Sequence, residues 1–224
     1  MEKRIVSPEN FDLNAFLGGL SHDLANPLNA ISMNAELLRL LTEKNQIERV
    51  REVVERLVTD CSRCSRFLRE LRQFADAVKV RPRETATVQA LIDAAEIVAR
   101  AQVTDKFPEI ALSGGEIALS AQRQSMELAL AALLRNAAEA GATRVQIGAE
   151  QHADGLYVRV ADNGSGIADA VAAKLGATLV SNRRAQGNIG LGVLLCSYVA
   201  RAHGGDLALA SEPGNTVATL RLSP

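Results

Sequence analysis

Near the start of the chain, His22-Asp23-Leu24-Ala25-Asn26-Pro27 sets an imidazole beside a carboxylate, with an amide one helical turn on and then a proline. A neutral imidazole attacks phosphorus best when a carboxylate binds one ring nitrogen. That bond fixes the tautomer and takes up positive charge as the other nitrogen reacts. On a helix Asn26 shares a face with His22, and its amide is placed to orient a water toward a phosphorylated ring. Asp23 points about 100° away, so it reaches the imidazole only by its rotamer or across a bend. Pro27 gives a reason for a bend: it cannot donate to the carbonyl of Asp23, and its ring pushes that carbonyl aside. Far downstream come Asn136 and then Asp162-Asn163-Gly164-Ser165-Gly166. A His-Asp pair alone is common on helix surfaces. With the amide and proline at these offsets and the later Asn and glycine motifs, the residues look like a histidine that accepts phosphate and a nucleotide pocket that supplies it.

These side chains need elements to hold them. Residues 10–80 read as helix, broken at Thr42-Glu43-Lys44-Asn45-Gln46. The break is short enough to make the two helices antiparallel neighbours. The second helix carries Ile47, Val50, Val54, Leu57, Cys61, Cys64, Leu68, Leu71, Ala75 and Val78 at alternating spacings of three and four. That is a heptad repeat with left-handed, coiled-coil-like packing. The first helix offers Leu20, Leu24, Leu28, Ile31, Ala35 and Leu38. One hairpin cannot enclose so long a seam, whereas two hairpins make a four-helix bundle, so a homodimer is expected. Cys61 and Cys64 then serve as small apolar seam residues. They resemble half a zinc site, but the chain has only three His and no second Cys pair, which argues against one.

Arg81-Pro82-Arg83 ends the hairpin, because proline disfavours helical geometry at the residue before it. Beyond it the period changes. Residues 90–101, 122–140 and 191–202 read as helices. Residues 144–149, 156–161, 207–210 and 217–222 read as strands. Residues 109–112 and 116–120 flank a Ser-Gly-Gly turn and read as a β-hairpin. The expectation is an α+β sandwich with helices on one face of a mixed sheet. The domains expected are 1–80, a helical hairpin, and 85–224, the sandwich.

Composition narrows the function classes. Basic and acidic residues number 25 and 26, which argues against nucleic-acid binding through net charge. Trp is absent and aromatics are 3%, so the core must be aliphatic. No run of 18 apolar residues suggests a membrane span. Polar sequence after Met1 is unlike a secretion segment, and an odd three cysteines suit a reducing compartment. A cytoplasmic location is therefore expected. The nine or so residues before the first helix leave no room for a sensory domain. Either a separate protein supplies the input or the chain is a piece of a longer one.

Residues 21–31, Ser-His-Asp-Leu-Ala-Asn-Pro-Leu-Asn-Ala-Ile, resemble the phospho-acceptor box of two-component sensor histidine kinases. The resemblance implies that His22 is phosphorylated, that Asp23 is its acid/base partner and that Asn26 is a phosphatase determinant. Leu133-Leu134-Arg135-Asn136-Ala137-Ala138-Glu139-Ala140 resembles the family's asparagine box. There Asn136 would give an oxygen to Mg²⁺ bridging the phosphates of ATP. Asp162-Asn163-Gly164-Ser165-Gly166-Ile167 resembles the first glycine box, which implies that Asp162 accepts from the adenine amino group beside Gly164 and Gly166. Residues 187–192, Gly-Asn-Ile-Gly-Leu-Gly, resemble the second glycine box, with Gly190 and Gly192 at a helix start suited to phosphate. Gly214-Asn215-Thr216 resembles the last box, which implies Thr216 near adenine. Between Gly166 and Gly187 a lid over ATP is implied; Arg183 and Arg184 lie in it and read either as partners of the γ-phosphate or as solvated loop arginines.

The pattern departs from the family at several places. Ala132 stands where an Asn is usual and Glu139 where a basic residue is frequent. Ile189 replaces a common Thr. Leu175 or Leu179 must stand in for a lid phenylalanine, since no Phe follows Phe107. These changes remove polar contacts to the phosphates and leave the adenine contacts. Two readings stay open. In one, an ATP-dependent kinase phosphorylates His22 and passes the group to an aspartate on a response-regulator receiver domain. In the other, a phosphotransfer adaptor with a degenerate ATP fold is phosphorylated by another protein. A phosphatase working through Asn26 is a third, weaker option.

Overall fold

The computed structural model describes residues 4–6, 13–103, 106–167 and 191–223. Two 31-residue helices, α1 (Leu13–Glu43) and α2 (Ile47–Ala77), form the hairpin. The turn between them is closed by local chemistry. Asn45 takes a left-handed conformation with φ 55°. Gln46 N donates to Leu41 O and Asn45 N to Thr42 O, which satisfies the last carbonyls of α1. Pro27 lies inside α1, and the helix continues through it.

The heptad on α2 proves to be two overlapping seams. Val53, Asp60, Phe67 and Ala77 are buried, with Leu57, Cys64, Leu71, Phe74 and Val78 half-buried beside them. Ile47, Val54 and Leu68, expected on the seam, are exposed at 65%, 43% and 55%, and Cys61 is exposed too. Leu57, Cys64, Leu71 and Val78 lie on the border of both faces. A three–four spacing marks an apolar stripe but not which side of it faces the same chain, and here Val53 and Phe67 decide. On α1 the inward set is Leu20, Leu24, Ile31, Leu38 and Leu41, whereas Leu28 and Ala35 face outward. Within the hairpin Asn34 Nδ2 donates to Asp60 Oδ2 at 3.4 Å, and Arg63 donates to its other oxygen at 3.1 Å. This places a polar contact at one fixed height in an otherwise apolar interface.

The second half is a sandwich. Its helices are α3 (Val88–Arg100), α4 (Arg123–Glu139) and α5 (Leu191–Ala202). Its strands are β2 (Glu84–Thr87), β3 (Glu109–Ser113), β4 (Ala118–Ala121), β5 (Arg144–His152), β6 (Gly155–Asp162), β7 (Asp206–Glu212) and β8 (Asn215–Leu222). A short β1 (Arg4–Val6) pairs antiparallel with β7. The main sheet runs β1-β7-β8-β6-β5-β3, with only β3 and β5 parallel. Along β5, Val145, Ile147 and Ala149 are buried while Gln146 and Glu150 are exposed, the alternation of a sheet covered on one side. The cover is α3, α4 and α5, which share one aliphatic core with it. Alanine allows α4 to be buried on almost every side.

The β-hairpin expected at residues 109–120 does not form. β3 pairs with β5, and β4 pairs antiparallel with β2 in a separate two-stranded ribbon. Gly114, at φ +71°, explains the crossing: a Cβ there would lie 2.1 Å from the carbonyl oxygen of Ala149 on β5. The turn therefore folds over β5 and hands the chain to the other sheet. Strands β1 and β2 carry no alternation long enough to be read in advance. Thr87 ends β2 and caps α3, its hydroxyl accepting from Ala90 N at 3.2 Å.

The two halves touch along the lower part of α2. Leu20 and Phe67 pack with Leu191 and Leu194 at the start of α5, joined by Leu24, Leu71 and Phe74. Ser125 donates to Ala77 O at 2.8 Å, and Arg83 donates to Ala202 O at 3.0 Å. Among the described residues no helix is long and apolar enough to cross a membrane.

Two buried titratable groups in the core are structural. Cys196 donates to Ala129 O, and burial pushes its thiol up to about 12, so it stays protonated and unreactive. His203 is 2% exposed. Its Nε2 accepts from Gln122 N at 2.9 Å, and its Nδ1 donates to Val199 O at 2.7 Å. Burial lowers its pKa by disfavouring the charged ring, and protonation would also remove the acceptor at Nε2. In the unfolded chain the ring protonates near its ordinary pKa of about 6.5. Its contribution to stability is therefore complete above that value and is lost as pH falls toward the folded pKa. Denaturant unfolding followed between pH 8 and pH 5 should show this loss, and His203→Gln should remove it whatever its baseline stability. An unchanged pH slope in the variant would contradict the assignment.

Candidate functional site

On α1 the predicted acceptor residues come together. His22 is 71% exposed and the Asp23 side chain 11%. His22 Nδ1 lies 3.3 Å from Asp23 Oδ1 and 3.4 Å from Asn26 Nδ2. So Asp23 does reach the ring, and Asn26 does sit one turn along. Nδ1 has one hydrogen-bonding role in any tautomer. Donation to the carboxylate is the charge-assisted choice, and it leaves Nε2 as the bare nitrogen. Leu20 and Leu24, two residues either side of His22, pack into the cluster with α5. At 100° per residue the imidazole therefore points about 160° away from that contact.

The second group of residues gathers where α4, β6 and the β7–β8 turn meet. Asp162 ends β6 and is paired across the sheet with Thr216. Its Oδ1 accepts from Gly164 N at 2.8 Å. The loop from residue 163 to 167 is held by backbone on both sides. Ser165 N donates to Ala140 O at 3.0 Å, and Gly214 N donates to Gly164 O at 2.9 Å. At Gly164 a Cβ would lie 2.6 Å from the Ala140 methyl; at Gly166, φ +79°, it would lie 2.9 Å from Glu212 O. Only glycine fits either place. Ser211 accepts from Ile167 N at 2.9 Å and lies 3.0 Å from the Thr216 hydroxyl, which ties the loop to that residue.

Asn136 is half-buried on α4. Gly192, in the first turn of α5, faces it: a Cβ on Gly192 would be 3.3 Å from Asn136 Nδ2 and 3.5 Å from the Ala132 methyl. Ala132, where the resemblance leads one to expect Asn, is thus part of the close contact between α4 and α5. Gly190 and Arg183 lie outside the described residues, as do Arg184, Ile189, Leu175 and Leu179.

Two residues gain roles that sequence reasoning did not give them. Asn163 accepts from Thr143 N and Arg144 N at 2.9 and 3.0 Å and donates to the Thr143 hydroxyl at 2.9 Å. It straps the glycine loop to the α4–β5 turn, and only its place between Asp162 and Gly164 hinted at this. Arg135, beside Asn136, is 9% exposed and faces Glu70, 6% exposed, at 3.7 Å. Read in sequence, both are ordinary solvated charges.

The donor set can be tested against the expected ion. Mg²⁺ keeps waters and takes substrate phosphates plus one or two protein oxygens. Among the described residues no group of three or more His, Cys, Asp or Glu side chains is placed to hold a metal. A single amide oxygen from Asn136 fits a phosphate-borne ion and does not fit a protein cage. The glycine loop, built from backbone with Asp162 and Thr216 side by side, suits a flat base that needs close approach.

Comparison with known proteins agrees with both halves. Residues 12–78 match the His Kinase A (phospho-acceptor) domain. Residues 121–224 match the histidine kinase-, DNA gyrase B- and HSP90-like ATPase domain. The C4-dicarboxylate transport sensor protein DctB of Rhizobium meliloti is 27% identical over 218 residues, covering 94% of this chain and 34% of that protein. Sensor protein CreC of Escherichia coli is 28% identical over 223 residues, covering 94% of this chain and 45% of that protein. The chain thus spans between a third and a half of the length of these relatives. In fold it is similar to the histidine kinase AdeS of Acinetobacter baumannii, with TM-score 0.61 and 17% identity over 90% of this chain and 97% of that one.

Proposed function

The chain belongs to the two-component sensor histidine kinases, and from that premise we propose that it is an ATP-dependent protein kinase whose acceptor is its own His22. The phosphoryl group then passes to an aspartate on a response-regulator receiver domain. In this reading residues 1–80, apart from β1, which joins the sheet of the sandwich, form the dimerisation and phosphotransfer domain, and residues 85–224 the ATP-binding domain. The observation that supports it best is the setting of the imidazole: exposed, with Nδ1 3.3 Å from the Asp23 carboxylate, to which it is the natural donor.

The chemistry balances on those atoms. Nε2 of His22 forms a bond to the γ-phosphorus as the bond to the bridging oxygen breaks and ADP leaves. The proton on Nδ1 stays between the ring and Asp23, whose carboxylate offsets the charge of the imidazolium formed. Asn136 Oδ1 would be a ligand for Mg²⁺, which would neutralise charge on the phosphates. Asp162 and Thr216 bind the adenine edge, with Gly164 and Gly166 allowing close approach. Gly190 and Gly192 give the phosphate end of the site, and Arg183 meets the γ-phosphate. Asn26 orients the water that removes the phosphoryl group, which would make the protein a phosphatase of its pathway as well.

Incubation with Mg²⁺ and γ-labelled ATP tests the reading. Acid-labile label should appear on the protein and vanish in His22→Gln. Asp162→Asn should weaken nucleotide binding by at least tenfold and leave the oligomer intact. Label that persists in His22→Gln would refute the acceptor. An unlabelled protein that binds no nucleotide, yet takes phosphate from a second protein, would establish the adaptor reading instead.

The same reading requires a homodimer. Its support is the outward face of the hairpin: Leu17 and Leu28 on α1, with Ile47, Val54, Val58 and Leu68 on α2, all exposed. Exposed apolar side chains gathered along both helices mark an interface. Leu68→Glu leaves the intramolecular core untouched and should convert the dimer to a monomer in light scattering or ultracentrifugation. A variant that stays dimeric would place the interface elsewhere.

A further inference from the structure

We infer that Asn163 is a positioning residue for base recognition: its amide ties the loop that aims Asp162 to the end of α4, and thereby sets a preference for ATP over GTP. The inference rests on the nucleotide-binding half of the kinase reading, and it adds a residue and a selectivity that the reading leaves open.

Asp162 is placed from two directions. Its backbone belongs to the sheet, paired with Val145 on β5 and Thr216 on β8. Its carboxylate is aimed by the loop that follows, because Oδ1 accepts from Gly164 N at 2.8 Å. The strand fixes where the side chain starts, and the loop fixes where it points. Adenine offers a 6-amino donor to such a carboxylate, whereas guanine offers a 6-oxo acceptor at the same place. A carboxylate held in one direction accepts the first and repels the second. One that swings with its loop loses the distinction.

The loop is held through Asn163. Its Oδ1 accepts from Thr143 N at 2.9 Å and from Arg144 N at 3.0 Å, and its Nδ2 donates to the Thr143 hydroxyl at 2.9 Å. Two backbone donors meeting one atom decide which end of the amide is oxygen. The anchor is itself fixed. Gly141, at φ +72°, closes α4 in a left-handed turn in which Ala142 N donates to Ala137 O. Thr143 O accepts from Glu109 N on β3 at 3.0 Å. Ala140 N donates to Asn136 O, so the expected Mg²⁺ ligand lies one helical turn before the residue whose carbonyl receives Ser165 N. Asn163 thus joins the base end of the site and the helix of its phosphate end into one body. Aspartate could accept the same two bonds, but it would set a second carboxylate beside Asp162. Alanine makes none of the three.

Calorimetric titration of the whole chain with Mg-ATP, Mg-GTP and adenosine tests the role. Asn163 is exposed, so Asn163→Ala leaves the core intact. The variant should bind Mg-ATP about fivefold or more weakly, the loss expected for a small set of hydrogen bonds, and adenosine should lose as much. Mg-GTP should lose less, so the preference between the two nucleotides narrows; general damage to the loop would weaken both alike. Asn163→Asp keeps both accepted bonds and can take its third from the Thr143 hydroxyl, so it should recover most of the ATP affinity. Unchanged ATP binding in Asn163→Ala, or equal losses for ATP and GTP, would overturn the positioning role. An aspartate variant no better than alanine would overturn its hydrogen-bonded basis. Protein that binds nucleotide yet never labels His22 would refute the kinase reading and still decide this one; wild-type protein that binds no nucleotide would overturn both.

Discussion

The apolar stripe of α1 constrains everything else. Leu20 and Leu24 must be covered, and the cover is Phe67 of α2 together with the first turn of α5. Once those leucines face inward, helical geometry turns the residue between them outward. The exposure of His22, the near approach of Asp23 and the position of the nucleotide helix all follow from that choice. Burying Leu20 stabilises the fold by about 1.5–3 kcal/mol, and half-burying Leu24 adds less; the same burial sets the direction in which a reactive ring can point.

The hairpin uses one helix for two purposes. One side of α2 seals its own chain and the other stays apolar and exposed, the face that the proposed homodimer would cover, with Leu57, Cys64, Leu71 and Val78 on the border. This economy explains the unbroken heptad, which a hairpin closed on itself does not need. Polar residues set the register inside this interface: Asp60 with Asn34 high in the hairpin, and Glu70 with Arg135 where the sandwich docks. Apolar surfaces slide cheaply, and buried hydrogen bonds and charges do not.

Much of this was legible in the residues. Long elements with strong periods gave themselves away: both hairpin helices, α4, α5 and the strand pair β5–β6. The motif residues could be read because their tasks are local, such as the glycine whose added Cβ would strike Ala140 or the carboxylate ending a strand. The rest depends on contacts between distant parts of the chain. Nothing near Ser113-Gly114-Gly115 announces that Gly114 will lie under Ala149, so an apparent β-hairpin became two strands in different sheets. The spacing on α2 did not reveal that Val53 and Phe67 choose the inner face. Arg135 and Glu70 look like surface charges until two helices meet around them, and Asn163 looks like a spacer until its amide ties two turns together.

The central claim is that Asp23 holds one nitrogen of His22 so that the other accepts the phosphoryl group. The most direct measurement is phosphorus and nitrogen NMR of the phosphorylated protein, which identifies the ring nitrogen bonded to phosphorus. The account predicts phosphorus on Nε2, with Nδ1 still protonated toward Asp23. Phosphorus on Nδ1, or on any residue other than His22, would contradict it.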